Sequence, residues 1–202
     1  MLKFGRLQIQ QQYIMNKQII EKCIAMILKE LGIDLFHPDF KETPQRVAKL
    51  YEDLFSGVNY KEEQIKEILS KWFPSEVDEM IVFHNHVFSL CPHHLLPVEY
   101  SIYTAYLPKN RVVGLSKISR LVELLAKKPI IQENLTVEIN KAIMKYLKPQ
   151  GSATIIKGRH SCMTMRGVKQ VDSKVITSDL QGVFKKDASA KTEFLEFIKL
   201  IK

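Results

Sequence analysis

At Asp78 the apolar pattern changes its period, and that change limits the folds open to this chain. Before it, Ile19, Ile20, Cys23, Ile24, Ile27, Leu28 and Leu31 recur at helical spacing, and Gly32 supplies a stop. Thr43-Pro44 reads as a cap followed by proline in the first turn. Val47, Leu50, Tyr51 and Leu54 continue that helix, and Gly57 ends it. A third, charged helix is expected over residues 62–72. After Asp78, residues 80–90 and 98–107 are rich in β-branched and aromatic side chains with partial alternation, the mark of strands. Pro108-Lys109-Asn110 turns the chain before residues 111–114. Ser116 can cap a helix carrying Ile118, Leu121, Val122 and Leu125, which stops near Pro129. Another helix runs over 132–147 with Leu135, Ile139, Ile143 and Leu147 on one face, and Pro149 and Gly151 break it. Strands over 153–157 and 174–183 and a closing helix over 191–201 complete the pattern. Helices and strands come in groups rather than in alternation, which predicts an α+β fold with antiparallel pairing.

A chain of 202 residues can form one core and bury roughly 70% of the surface its unfolded form exposes. Apolar residues at 46% and charged residues at 26% exclude a disordered or fibrous chain. The longest apolar run, from Cys23 to Leu28, falls far short of the roughly 18 residues that span a bilayer, so no membrane association is expected. The start, MLKFGRLQIQQQ, lacks an apolar stretch followed by a small-residue cleavage site, so the expected location is cytoplasmic. The net charge of +8 suits an anionic partner or, equally, a lysine-rich solvated surface. Nucleic acid is not the expected partner, because the basic residues form no aromatic-basic platform or reader motif. Three cysteines cannot all pair within one chain, and in a reducing compartment they read as core residues, metal ligands or nucleophiles.

Histidine and cysteine gather in two places: His84-Asn85-His86 through Cys91-Pro92-His93-His94, and His160-Ser161-Cys162. Cys91-x-x-His94 has the spacing by which one turn of chain offers two ligands to a tetrahedral zinc. The same spacing also describes a buried cysteine beside turn histidines. Cys162 adds a further thiolate, with His160 two residues away. Three protein ligands with one open position is the catalytic pattern, in which zinc lowers the pKa of bound water to about 7. His84 and His86 are two apart on a strand and share a face, which reads as an exposed sheet surface. Cys23, on the apolar face of its helix, is assigned to the core, and His37 to a loop.

Taken together, several blocks resemble GTP cyclohydrolase I. They are Cys91-Pro92-His93-His94-Leu95-Leu96-Pro97, Gly114-Leu115-Ser116-Lys117-Ile118-Ser119-Arg120, Gln132-Glu133-Asn134-Leu135-Thr136 and His160-Ser161-Cys162-Met163-Thr164-Met165-Arg166-Gly167-Val168. Thr43-Pro44-Gln45-Arg46-Val47-Ala48-Lys49 and the segment from Thr177-Ser178 to Gly182-Val183-Phe184 also fit. The resemblance implies a tunnelling fold, an antiparallel sheet with two backing helices and an N-terminal helical region. Residues 1–75 would form that region and 76–202 the catalytic unit. It also implies a homo-oligomer, a decamer built as a dimer of pentamers, with sites between subunits. The implied reaction opens GTP at C8, releases formate and yields 7,8-dihydroneopterin triphosphate, a first step toward tetrahydrofolate, other pterins or deazaguanines.

The resemblance assigns Cys91, His94 and Cys162 to the metal, zinc or, with the same donor types, iron. It assigns Arg46, Lys49, Lys117, Arg120 and Arg166 to the triphosphate. Lys117 and Arg120 are three apart on one helix and so share a face, as are Arg46 and Lys49 on another. Glu133 would accept two hydrogen bonds from guanine, with Gln132 beside it as a second base contact. His160 and His93 would carry protons, a task suited to a group titrating near neutrality, and Ser116 would assist at the ribose. The chain departs from the family pattern at Pro92 (usually glutamate), at Tyr100-Ser101 (usually Gly-Lys) and at Asn134 (usually arginine). It departs also at Lys157, Arg159 and Ser161. None of these removes a ligand or proton carrier.

Overall fold

The computed structural model describes residues 15–201, so the segment read above for a leader lies outside the described residues. The chain divides between Asp53 and Leu54 into two compact units. In the first, α1 (Lys17–Glu30) opens on Asn16, whose side chain accepts from the Ile19 N–H at 3.1 Å. The helical period holds but the inference of burial does not: no residue of α1 is buried, and Cys23 is exposed rather than in the core. Periodicity says which residues share a face and is silent on what covers that face. Helix α2 (Thr43–Leu54) begins a residue before its proline, so Thr43 lies inside it. The capping carbonyl is that of Glu42, which accepts from the Arg46 N–H at 3.0 Å.

The second unit opens with a helix shorter than expected, α3 (Glu62–Ile68). Trp72 is not part of it but begins β1 (Trp72–Pro74), which pairs antiparallel with β4 (Arg111–Val113). Two aromatic residues ahead of Pro74 favour extended backbone, since proline disfavours the helical region for its predecessor. The Arg111 guanidinium lies over the Trp72 ring, 4.5 Å from its centroid.

A four-stranded sheet forms the body of this unit. Its strands are β2 (Ile81–Leu90), β3 (Pro97–Leu107), β5 (Gly151–His160) and β6 (Val175–Gly182), ordered β2-β3-β5-β6 and antiparallel throughout. Helices α4 (Ser116–Ala126) and α5 (Gln132–Leu147) fall between β4 and β5 in the chain. The expected strand over 153–157 is five residues longer, running from Gly151 to His160, because β3 pairs with it along its whole length. Gly158, Arg159 and His160 carry no strand signal of their own; the partner strand imposes it.

The apolar faces of α4 and α5 close against one side of the sheet. Ile118, Leu121, Val122, Leu125, Leu135, Ile139, Ile143 and Leu147 are all buried there, with Val98, Tyr100, Ile102, Tyr106 and Ile156 opposite. These are the helix faces that the sequence predicts, and the architecture is the expected α+β sheet backed by two helices. Gly57 binds the loop before α3 to the end of α4. Its N–H donates to the Lys127 carbonyl at 2.7 Å, and an added Cβ would lie 2.3 Å from the Leu124 carbonyl oxygen. That approach pairs one of the carbonyls a helix C-terminus leaves open. Beyond β5 come α6 (Ser161–Thr164), α7 (Val183–Lys186) and α8 (Ala188–Ile201), the last three residues longer at its start than expected.

The opposite side of the sheet is only partly covered. Phe184, Phe194 and Ile198 of α7 and α8 pack on Tyr103, Ala105 and Ala153. Past that cover lie His84, stacked on Tyr103 at 4.6 Å, and His86, whose Nε2 is 2.8 Å from Glu99 Oε1. Burial first, then the nearby His86, depresses the pKa of His84. A base with a depressed folded pKa takes up its proton in the unfolded chain first. Its contribution is therefore complete above the ordinary histidine pKa of about 6.5 and is lost as the pH falls through that value toward the folded pKa. Urea titrations should show stability falling between pH 7 and 5 in the parent chain and falling less in His84→Phe; equal slopes would refute this assignment.

Candidate active site

The register of β3 brings the two His/Cys clusters together. Leu90 pairs with Pro97 across the β2–β3 hairpin, and Val98 pairs with His160 on β5. The hairpin turn thus lies beside the point where β5 passes directly into α6. The turn itself is closed by backbone bonds: Cys91 N–H donates to the Leu96 carbonyl at 2.9 Å, and Leu95 N–H to the Cys91 carbonyl at 2.8 Å. Leu95 takes a left-handed φ of 52° to complete it. The N–H that Pro92 lacks is not one of these donors, so that departure leaves the turn intact.

Curled in this way, the turn holds His93 Nδ1 at 3.8 Å and His94 Nδ1 at 3.7 Å from Cys91 Sγ. From across the sheet α6 brings Cys162. Ligand atoms of Cys91, His94 and Cys162 lie within 4.8 Å of one another, the one such group among the described residues. His84 and His86 are not part of it. Burial, then the contact with Cys91, pushes the Cys162 thiol up, while the Arg166 charge opposes the shift. Two sulfurs and an imidazole nitrogen, with Cys91 buried and His94 exposed, suit a zinc or iron ion with a position left open to solvent.

A polar ridge on α5 runs beside this cluster. Gln132, Thr136 and Asn140 recur every four residues and are all at least 98% buried. Asn140 Nδ2 donates to the Asp179 carbonyl at 3.0 Å and to its Oδ2 at 2.7 Å. Thr136 Oγ1 donates to the Gln132 carbonyl and lies 2.7 Å from Thr177 Oγ1. Gln132 Nε2 donates to the carbonyls of Ile156 and Val175 at 3.0 and 3.1 Å. Its Oε1 must then be an acceptor, and it lies 2.9 Å from His160 Nε2. His160 therefore keeps its proton on Nε2 and presents Nδ1. Burial lowers the His160 pKa, and the nearby Glu133 charge opposes that. Glu133 itself is exposed in the first turn of α5.

The cation set is divided. Lys117 and Arg120 share one face of α4 and line a cleft of about 250 Å³ with Gln64, Glu67 and Lys71. Arg166 is exposed beyond α6, next to Gly167. Arg46 and Lys49 are exposed on α2 in the first unit, and Arg46 there pairs with Glu42 at 2.7 Å. Ser116 is not the cap of α4. The capping position is Leu115, which has helical dihedrals, and Ser116 is the first helical residue, exposed at that terminus.

The family model for GTP cyclohydrolase I matches residues 20–199. The chain belongs to that family. Every residue of the cluster, the ridge and the cation set falls within the matched span. Relatives named GTP cyclohydrolase 1 are similar over nearly the whole chain. That of Clostridium perfringens is 39% identical over 188 residues, covering 93% of this chain and 100% of its own. That of Bacillus subtilis is 41% identical, covering 91% and 96%, and that of Finegoldia magna 42% identical, covering 89% and 96%. Among solved structures, an archaeosine synthase QueF-Like in the apo form aligns with a TM-score of 0.43 at 14% identity, over 51% of this chain and 93% of its own.

Two parts of this GTP cyclohydrolase I site escape a reading by motif: the Gln132–His160 bond, and the pairing of Tyr100 with Gly158. A glycine inside a strand is the one available signal, since it often marks a close approach. An added Cβ at 158 would lie 2.2 Å from Gln132 Oε1 and 2.9 Å from Tyr100 Cε1. Gly158→Ala should cost about 1–3 kcal/mol in urea unfolding, the range for an overpacked core; an unchanged midpoint would show that the ridge yields freely.

Proposed function

We propose that this chain is a metal-dependent GTP cyclohydrolase I, with zinc as the ion. It would open GTP at C8, release formate and form 7,8-dihydroneopterin triphosphate. The observation that carries this reading is the convergence of Cys91, His94 and Cys162 in a chain of this family. The ion supplies, when bound, a Lewis acid and a water activated near neutral pH.

The chain's own side chains have separate tasks in this reading. His160 delivers a proton to N7 of the purine through Nδ1, its Nε2 being committed to Gln132. The lowered pKa supports this, because a histidine that resists protonation is a stronger acid once it carries a proton. His93, on the same turn as His94, serves the second proton transfer, and Ser116 the ribose. Glu133 accepts from the guanine N1–H and amino group. Gln132 stands next to Glu133 as the second base residue, and its buried, fully engaged amide supports a role in holding His160 there. Lys117, Arg120, Arg166, Arg46 and Lys49 hold the triphosphate. Several fixed cations suit that polyanion, since charge-assisted bonds are about twice as strong as neutral ones. Residues 76–202 form the catalytic region of a homo-decamer, a dimer of pentamers, with the helices α1 and α2 ahead of it as an extension. The product feeds tetrahydrofolate, other pterin or deazaguanine synthesis. No helix among the described residues is long and apolar enough to cross a membrane.

Zinc-loaded protein incubated with GTP should give formate and dihydroneopterin triphosphate by mass spectrometry, and a chelator should abolish both. Cys162→Ala should lose the activity together with the zinc; full activity with one zinc per chain in that variant would overturn the ligand assignment. Lys117→Ala and Arg120→Ala should each raise the KM for GTP by about 10-fold or more, the worth of a bond to a charged group, and leave guanosine binding unchanged. Parallel losses for GTP and guanosine would remove these residues from the triphosphate.

A further inference from the structure

The four-stranded sheet ends in two open strands. Among the described residues β6 pairs with β5 alone, and β2 with β3 alone apart from one bond from Ile130 to the Leu90 carbonyl at its end. Open edges of eight and ten residues are templates for further pairing. Every pair in the sheet is antiparallel and the strands are even in number, so β2 and β6 run in opposite directions. A second copy set head to tail, with its β6 beside β2, continues the alternation and keeps the helices of both copies on one side. Such a contact repeats from copy to copy until a ring closes.

On the helix side of the sheet the two edges carry complementary polar groups. Asn85 of β2 is 9% exposed and lines a cleft of about 350 Å³ between β2 and α4, with Ser119 and Glu123. Its Nδ2 is buried and has no hydrogen-bond partner among the described residues. A buried donor without an acceptor is costly, and an apolar side chain would fill the same place without that cost. On β6 the Thr177 hydroxyl is already engaged by Gln132 and Thr136. Asp179 accepts from Asn140 and Gln181, both on Oδ2, which leaves Oδ1 as a free acceptor. Asn85 and Thr177 lie on one rung across the sheet, and Asp179 follows two residues on, on the same face. A sheet closed on itself staggers its register, and a stagger of about two residues at the joint sets the free donor opposite the free acceptor. We propose that the Asn85 amide of one copy donates to the Asp179 carboxylate of the next, a polar key in an edge-to-edge contact between β2 and β6. This rests on the homo-oligomer reading above. The key selects copies of this chain, since an apolar residue at either position leaves a buried polar group unpaired.

The test uses the full chain, with subunit mass read by light scattering over a dilution series. Asn85→Asp sets two carboxylates face to face and should raise the concentration at which the assembly half-dissociates by about 10-fold or more. Adding Asp179→Asn exchanges donor and acceptor and should restore most of the lost assembly. Asn85→Leu keeps the bulk and drops the donor. It should weaken assembly by about 10-fold, the worth of a bond to a charged group, while the dissociated subunit melts no lower than the parent's. That variant decides the matter if Asn85→Asp does not fold. An Asn85→Asp or Asn85→Leu chain that assembles like the parent would overturn the proposal. So would a folded double variant that assembles no better than Asn85→Asp. A parent chain that stays monomeric at every concentration would instead remove the homo-oligomer reading, and this pair with it.

Discussion

The pairing of β3 with β5 is the constraint on which the site depends. It runs unbroken from Val98↔His160 to Leu107↔Gly151. Because side chains alternate along a strand, a slip of one residue would turn Tyr100, Ile102 and Tyr106 away from the helices and exchange the two faces of the sheet. The same slip would part the hairpin turn from the β5–α6 junction. The core and the convergence of Cys91, His94 and Cys162 are thus set by one register. The buried faces of α4 and α5 help to fix it, for they accept only one set of strand residues.

Much of this was legible in the residues, and the reasons for the rest differ from case to case. The apolar faces of α4 and α5 follow from a strong 3.6-residue period, and both are buried. The grouping of Cys91, His94 and Cys162 follows from the family resemblance more than from spacing, because a C-x-x-H alone equally describes a buried cysteine beside turn histidines. What failed was reading burial from period alone, as for Cys23, and reading a helix through Trp72. The full length of β5 was not readable from Gly158, Arg159 and His160, because strand pairing there comes from the neighbour. Nor was the ridge of Gln132, Thr136 and Asn140, since buried polar residues look like surface ones until their partners are known.

That ridge also relates the stability of the sheet to the tautomer of His160. The groups that Gln132, Thr136 and Asn140 bind belong to β5 and β6, the latter an edge strand of the sheet. Buried amides of this kind are tolerable only when every donor and acceptor is engaged. Gln132 meets that condition by giving its oxygen to His160. One side chain thus fastens the helix to the sheet and sets the tautomer of the imidazole.

The Tyr100–Gly158 pair has a consequence for how such a sequence can change over time. A large residue and an absent Cβ face each other across one rung of the ladder. Shrinking Tyr100 alone opens a void beside His160, and enlarging Gly158 alone drives a methyl into the Gln132 amide. Each route crosses a less fit intermediate, so the two positions behave as a single inherited character.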